Sequence, residues 1–68
     1  MQKEMVILER SNGFYGGYEK TDTGYEQKFN VKASLFIKIN QAINQGYHLT
    51  FLDRSHEEEF MKDRTVII

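Results

Sequence analysis

The chain has 68 residues, 40% of them hydrophobic and 28% charged, with nine basic residues against ten acidic for a net charge of -1. That length allows one small core and roughly 3–5 kcal/mol of net stability, and the hydrophobic content argues against disorder. The absence of Cys excludes disulfides and thiolate zinc sites, and the near-neutral charge excludes a domain that holds phosphate backbones by bulk charge, though not a local basic stripe.

Residues 1–68 are read as a single compact domain with no linker, repeat or low-complexity segment. The N-terminal residues lack the basic-then-apolar layout of a signal peptide, and no stretch approaches the roughly 20 apolar residues of a membrane span. A cytoplasmic protein without a cofactor or bound metal is the expectation.

In chain order, Lys3 to Arg10 carries the run Met5-Val6-Ile7-Leu8 and predicts a strand. Asn12-Gly13 predicts a two-residue type I′ hairpin turn, with Phe14 to Lys20 as the returning strand. Thr21-Asp22-Thr23-Gly24 predicts a second turn. Tyr25 to Val31 alternates cleanly and predicts a third strand.

The period then changes. Phe36, Ile39, Ile43 and the following Tyr47, widened by Leu35 and Ala42, predict an amphipathic helix over Ala33 to Gln45, stopped by Gly46. Ile37 falls off that stripe and is expected to be partly exposed. Tyr47 to Asp53 predicts a fourth strand. Ser55 and Glu58 have capping-box spacing, so Ser55 to Asp63 predicts a short helix anchored by Phe60 and Met61. Thr65 to Ile68 predicts a short closing strand. The fold class is α+β: a two-layer βββαβαβ domain in which an antiparallel three-stranded meander precedes helix, strand, short helix and strand.

Two-residue and four-residue turns set a register on paper. Ile7 then faces Tyr18, and Gly16 faces Phe29, whose ring would cover the bare glycine. Only a bulge near Gly16-Gly17 would upset this register. It places Met5, Ile7, Phe14, Tyr18, Tyr25, Phe29 and Val31 beneath the long helix. Val6, Leu8, Arg10, Tyr15 and Lys28 fall on the opposite face, with Arg10 across from Tyr15 in cation–π geometry. Val6 and Leu8 are too apolar for bare water. The expectation is that the short helix, a second copy of the chain or another partner covers them, or that they keep the partial exposure ordinary in a small sheet.

The motifs with catalytic associations do not complete themselves. Asn12-Gly13-Phe14-Tyr15-Gly16-Gly17 has Tyr18 and Glu19 where a phosphate loop needs Gly and Lys. His56-Glu57-Glu58-Glu59-Phe60 has Phe60 where a zincin helix needs its second His. His48 and Asp53 point to opposite sides of a regular strand. Core aromatics account for Phe14, Tyr15, Tyr18 and Tyr25 better than a stacking platform with Lys20, Lys28 and Lys32.

The expectation is therefore a non-catalytic regulator or inhibitor that binds a protein partner, docking or self-associating as a homodimer through its sheet. Its candidate interaction surface is Val6, Leu8, Arg10, Tyr15, Lys28 and Ile67, the last in an apolar tail able to add a strand to a partner. The alternative is a module for RNA or single-stranded DNA, and an enzyme ranks third. Small, Pro-free and Cys-free, the chain resembles in style the accessory and regulatory proteins of bacteria and their phages.

Overall fold

The structure is a computed structural model that describes residues 3–63 and 66–67. It is a small α+β domain. The strands are β1 (Lys3–Glu9), β2 (Tyr15–Thr21), β3 (Gly24–Val31), β4 (Tyr47–Leu52) and β5 (Val66–Ile67). The helices are α1 (Leu35–Asn44) and α2 (Glu57–Asp63), the second preceded by a 3₁₀ turn at Arg54–His56. Thr65 and Ile68, at the ends of the predicted last strand, lie outside the described residues.

One mixed sheet runs in the order β4-β1-β2-β3-β5. The β1-β2-β3 meander is antiparallel, while β4 joins β1 and β5 joins β3 in parallel. The predicted two-layer arrangement is overturned, because the helices cover opposite faces. Met5, Ile7, Ala42 and Tyr47 form a core on the α1 side, supported by Tyr15, Phe29, Leu35 and Leu49. Leu8, Tyr18 and Phe60 form another on the α2 side, supported by Val6, Tyr25, Leu52 and Met61.

Topology explains this division. The β3-α1-β4 connection crosses the sheet in one direction, and β4-α2-β5 crosses it in the other. Crossovers that share a hand but run in opposite directions place their helices on opposite faces. The interior strand β1 is thus covered on both sides, and that is the physical meaning of its unbroken run Met5-Val6-Ile7-Leu8.

The register differs from the paper one at two places. Arg10 N–H donates to Phe14 O at 2.7 Å and Gly13 N–H to Arg10 O at 3.1 Å, so the first loop holds three residues, with Gly13 at φ 87°. The Asn12 side chain accepts from Phe14 N–H at 3.0 Å and steadies that loop. The extra loop residue slips the hairpin by one position: Val6 faces Tyr18 and Ile7 faces Gly17.

The second turn does give the predicted Lys20↔Tyr25 and Tyr18↔Gln27 pairs, but pairing then jumps to Gly17↔Phe29. Lys28 is the extra residue of that bulge. Beyond it the side chains of β3 change face, so Tyr25 serves the α2 side and Phe29 the α1 side.

The long helix is shorter and rotated relative to the predicted stripe. Leu35, Ile39 and Ala42 follow its sheet-facing line; Ala42 is buried, and Leu35 and Ile39 are half-buried. The short Ala42 side chain lets the helix backbone approach Met5, Ile7 and Tyr47 closely. Phe36 and Ile43, expected in the core, lie a quarter turn away at 100° per residue and are exposed, together with the predicted Ile37.

Candidate functional site

Three places bring together chemistry that the core does not consume: the start of α2, a cleft at the carboxyl ends of β1 and β4, and the outer side of α1 with β4.

At the start of α2, the cap is Asp53 and not the predicted Ser55. The Asp53 carboxylate accepts from Ser55 N–H at 3.1 Å and from Ser55 Oγ at 2.5 Å. It also lies 2.9 Å from His56 Nδ1. The Ser55 and His56 contacts hold the Asp53 carboxyl below its ordinary range, with Ser55 the larger cause. The three residue types suggest a catalytic triad, but the connectivity differs. A triad needs one imidazole nitrogen on the carboxylate and the other on the hydroxyl. Here Ser55 Oγ lies 3.3 Å from the same Nδ1 that meets Asp53. All three residues are exposed, and the arrangement is a helix-entry cap.

One residue further on, Glu57 locks the first hairpin to α2. Its carboxylate accepts from Arg10 Nε and, at 3.1 Å, from Ser11 N–H. Arg10 Nη1 also donates to the hydroxyl of Tyr18 at 3.1 Å. The Arg10 hydrogen bond depresses the Glu57 carboxyl, and the same bond raises the Arg10 guanidinium. Arg10 therefore serves a structural tie and does not stack on Tyr15. Its partners follow from tertiary packing, because Glu57 is far away in sequence.

The cleft is lined by Ile7, Glu9, Tyr15, Phe51, Leu52, Asp53 and His56 and encloses about 330 Å³. Its polar rim is already engaged: Asp53 caps the 3₁₀ turn, and Glu9 faces Arg54 at 3.8 Å. Among the described residues, no three His, Cys, Asp or Glu side chains converge as metal ligands. No helix of the described residues is long and apolar enough to cross a membrane.

The surface expected from the sequence is not one surface. Leu8 is fully buried and Val6 half-buried, both under α2. Tyr15 belongs to the opposite, α1 side. Lys28 is exposed on its bulge, 3.5 Å from Glu19 and 3.4 Å from Glu26. Glu26 raises its ammonium above the ordinary range. Ile67 contributes backbone pairing with Glu26 in β5, and its side chain lies outside the described residues. Nor do the aromatics form an open stacking platform. Tyr18 and Tyr25 pack on Phe60 with ring centroids 5.3 and 4.9 Å away, and the Phe14 ring carries Lys32 at 5.9 Å.

Among the described residues, the large apolar side chains left exposed lie on the outer side of α1 and on the neighbouring strand β4. Phe36 is 78% exposed, Ile37 60%, Phe51 59% and Ile43 56%. Phe36 and Ile43 are seven residues apart and share one flank of α1. In a right-handed crossover, the hand such connections take, that flank points away from β1 and out over the free edge of β4. Phe51 lies in β4 itself, on the α1 side beside Ile7.

From Leu35 to Leu52 the only formally charged side chain is Lys38, so the whole surface is nearly neutral. β4 pairs with β1 in unbroken register and ends the sheet. It has no Pro, Lys or bulge, the features that usually protect an edge from another strand. The sequence held this signal in the clustering of apolar and uncharged residues, but assigning Phe36 and Ile43 to the core concealed it. The chain matches no protein family, no curated protein and no solved structure.

Proposed function

We propose that the chain is a non-catalytic protein-binding domain, of the kind that regulates or inhibits by docking, and that its binding surface is the α1 flank with the edge of β4. The observation that carries this reading is the exposure of Phe36, Ile43 and Phe51 beside an unprotected edge strand. Clustered exposed apolar side chains mark interaction sites. An open strand edge adds main-chain hydrogen bonding, with alternate side chains supplying selectivity. The neutrality of Leu35 to Leu52 favours a protein partner over a phosphate backbone, which draws its affinity from Lys and Arg.

The test is affinity capture with the tagged chain and with its Phe36→Glu/Phe51→Glu variant, using lysate from the source organism with an added, differently tagged copy of the chain. Circular dichroism first establishes that the variant is folded. The expected result is at least one protein, either the second copy or a foreign partner, retained by the parent and lost by the variant. Identical capture profiles, or salt-sensitive retention of single-stranded oligonucleotides unaffected by the variant, would refute the reading.

A further inference from the structure

We infer that the partner on this surface is a second copy of the chain, joined by antiparallel pairing of β4 with β4 about Leu49 into one continuous sheet; the inference rests on the protein-binding reading above. Pairing about Leu49 puts Leu49 opposite its own copy, Tyr47 opposite Phe51 and His48 opposite Thr50. Residues directly opposite in an antiparallel pair share a face. The α1 side of the junction then carries Leu49 and the exposed Phe51 beside Tyr47, whose ring is buried in its own core with the Lys3 ammonium 5.2 Å above it, while the other side carries the exposed polar pair His48 and Thr50. Apolar side chains set opposite one another stabilise antiparallel sheets.

Charge does not oppose the pairing. The strand has no Asp, Glu, Lys or Arg, so a two-fold axis brings no like charges together. The same axis places the two α1 helices on one face, with each Phe36 and Ile43 flank toward its counterpart. The spacing is suitable. The buried Ala42 packs with Met5 and Ile7 of β1 and Tyr47 of β4, and α1 meets β4 more than any other strand, so the helix axis is taken to lie near the boundary between β1 and β4. With strands about 4.8 Å apart, the two helices come to lie roughly 10 Å apart, the upper end of ordinary helix packing. One operation thus covers Phe36, Ile43 and Phe51 and fills the open edge. A foreign strand would satisfy the edge, but it would need its own apolar helix at the same height to cover the α1 flank.

Light scattering after size exclusion over a dilution series is the first measurement. The parent is expected at twice its 8.1 kDa chain mass, and Phe36→Glu is expected to weaken the dimer by about tenfold or more, because two central rings are lost per interface. Register is read with His48→Cys and Thr50→Cys in a chain that has no native Cys. Under mild oxidation the mixture of the two variants should give a covalent heterodimer. Opposed Cα atoms about 4.5–5.5 Å apart suit a disulfide. Neither variant alone should cross-link, because each cysteine then lacks a facing thiol.

A parent that stays monomeric into the millimolar range overturns the inference. So does a dimer indifferent to Phe36→Glu, or one in which Thr50→Cys cross-links alone while the mixture does not. If the parent is monomeric yet captures a foreign protein that Phe36→Glu/Phe51→Glu loses, only the second-copy inference falls. If neither form of association is found, the protein-binding reading falls with it.

Discussion

Replacing Gly17 by Ala tests the register of the sheet at its most sensitive point. A Cβ built on Gly17 would lie 2.1, 2.4 and 2.6 Å from three atoms of the Phe29 ring. Carbon atoms in contact prefer about 3.5–4.0 Å, so the shortfall is roughly 1.4 Å at the closest atom. A rotamer adjustment of a few tenths of an ångström does not relieve it. The ring must leave the glycine, and Phe29 is part of the packing against Met5, Ile7 and Ala42.

Overpacking of this kind costs about 1–3 kcal/mol, and three clashing atoms put Gly17→Ala toward the upper end. Against roughly 3–5 kcal/mol of total stability for a domain this small, that change leaves a substantial unfolded population at room temperature. Urea unfolding followed by circular dichroism and tyrosine fluorescence measures it. The decisive comparison repeats Gly17→Ala in a Phe29→Val background, which removes the ring and keeps part of the packing. There the obstacle is gone, and the added methyl should cost well under about 1 kcal/mol, giving a coupling energy in the range of contacting residues. A cost below about 0.5 kcal/mol in the parent, or equal costs in the two backgrounds, would refute the placement of Phe29 over Gly17.

Leu8→Ala opens a cavity beside Tyr18 and Phe60 and should cost about 2–5 kcal/mol; a loss under 1 kcal/mol in thermal unfolding would mean that α2 does not cover this face. Glu57→Gln weakens the tie to Arg10 and Ser11 and should cost about 1–2 kcal/mol at neutral pH, the lower part of the range for hydrogen bonds to charged groups because the pair is partly solvated. The folded-state pKa of Glu57 is depressed, so its contribution is complete above the ordinary carboxyl value of about 4.3 and is lost as pH falls through the folded value. Stability measured from pH 6 downward should fall on acidification less steeply in Glu57→Gln than in the parent, and parallel curves would show that the tie to Arg10 does not hold the carboxylate.

Local signals in the sequence set the element types. The apolar run Met5 to Leu8 made a strand, the alternation from Tyr25 made another, and the period change after Val31 made a helix ending at Gly46 with φ 90°. Each depends on backbone preferences and on spacings within a few residues, which the chain carries wherever it sits. Asn12-Gly13 also fixed a hairpin, but the same dipeptide fits a two-residue or a three-residue loop, and one residue of loop decides which side chains share a face. The bulge at Lys28 had no local marker beyond the neighbouring glycines, since it arises where Gly17 must accept the Phe29 ring.

Which face each aromatic serves, and which helix covers it, was decided only when both crossovers closed. Leu8 was left as a candidate for the surface because the sequence does not state that α2 crosses the sheet behind it. Arg10 met Glu57 rather than Tyr15 because that pair forms only after the same crossing. The open α1 flank and β4 edge likewise follow from the position of α1 over the sheet, which rotated Phe36 and Ile43 out of the core. A helical stripe states that a face is apolar, while the height and angle at which the helix meets its sheet determine how much of that face is buried. Composition and period therefore determined the strands and helices, and long-range packing decided which residues were left to meet a partner.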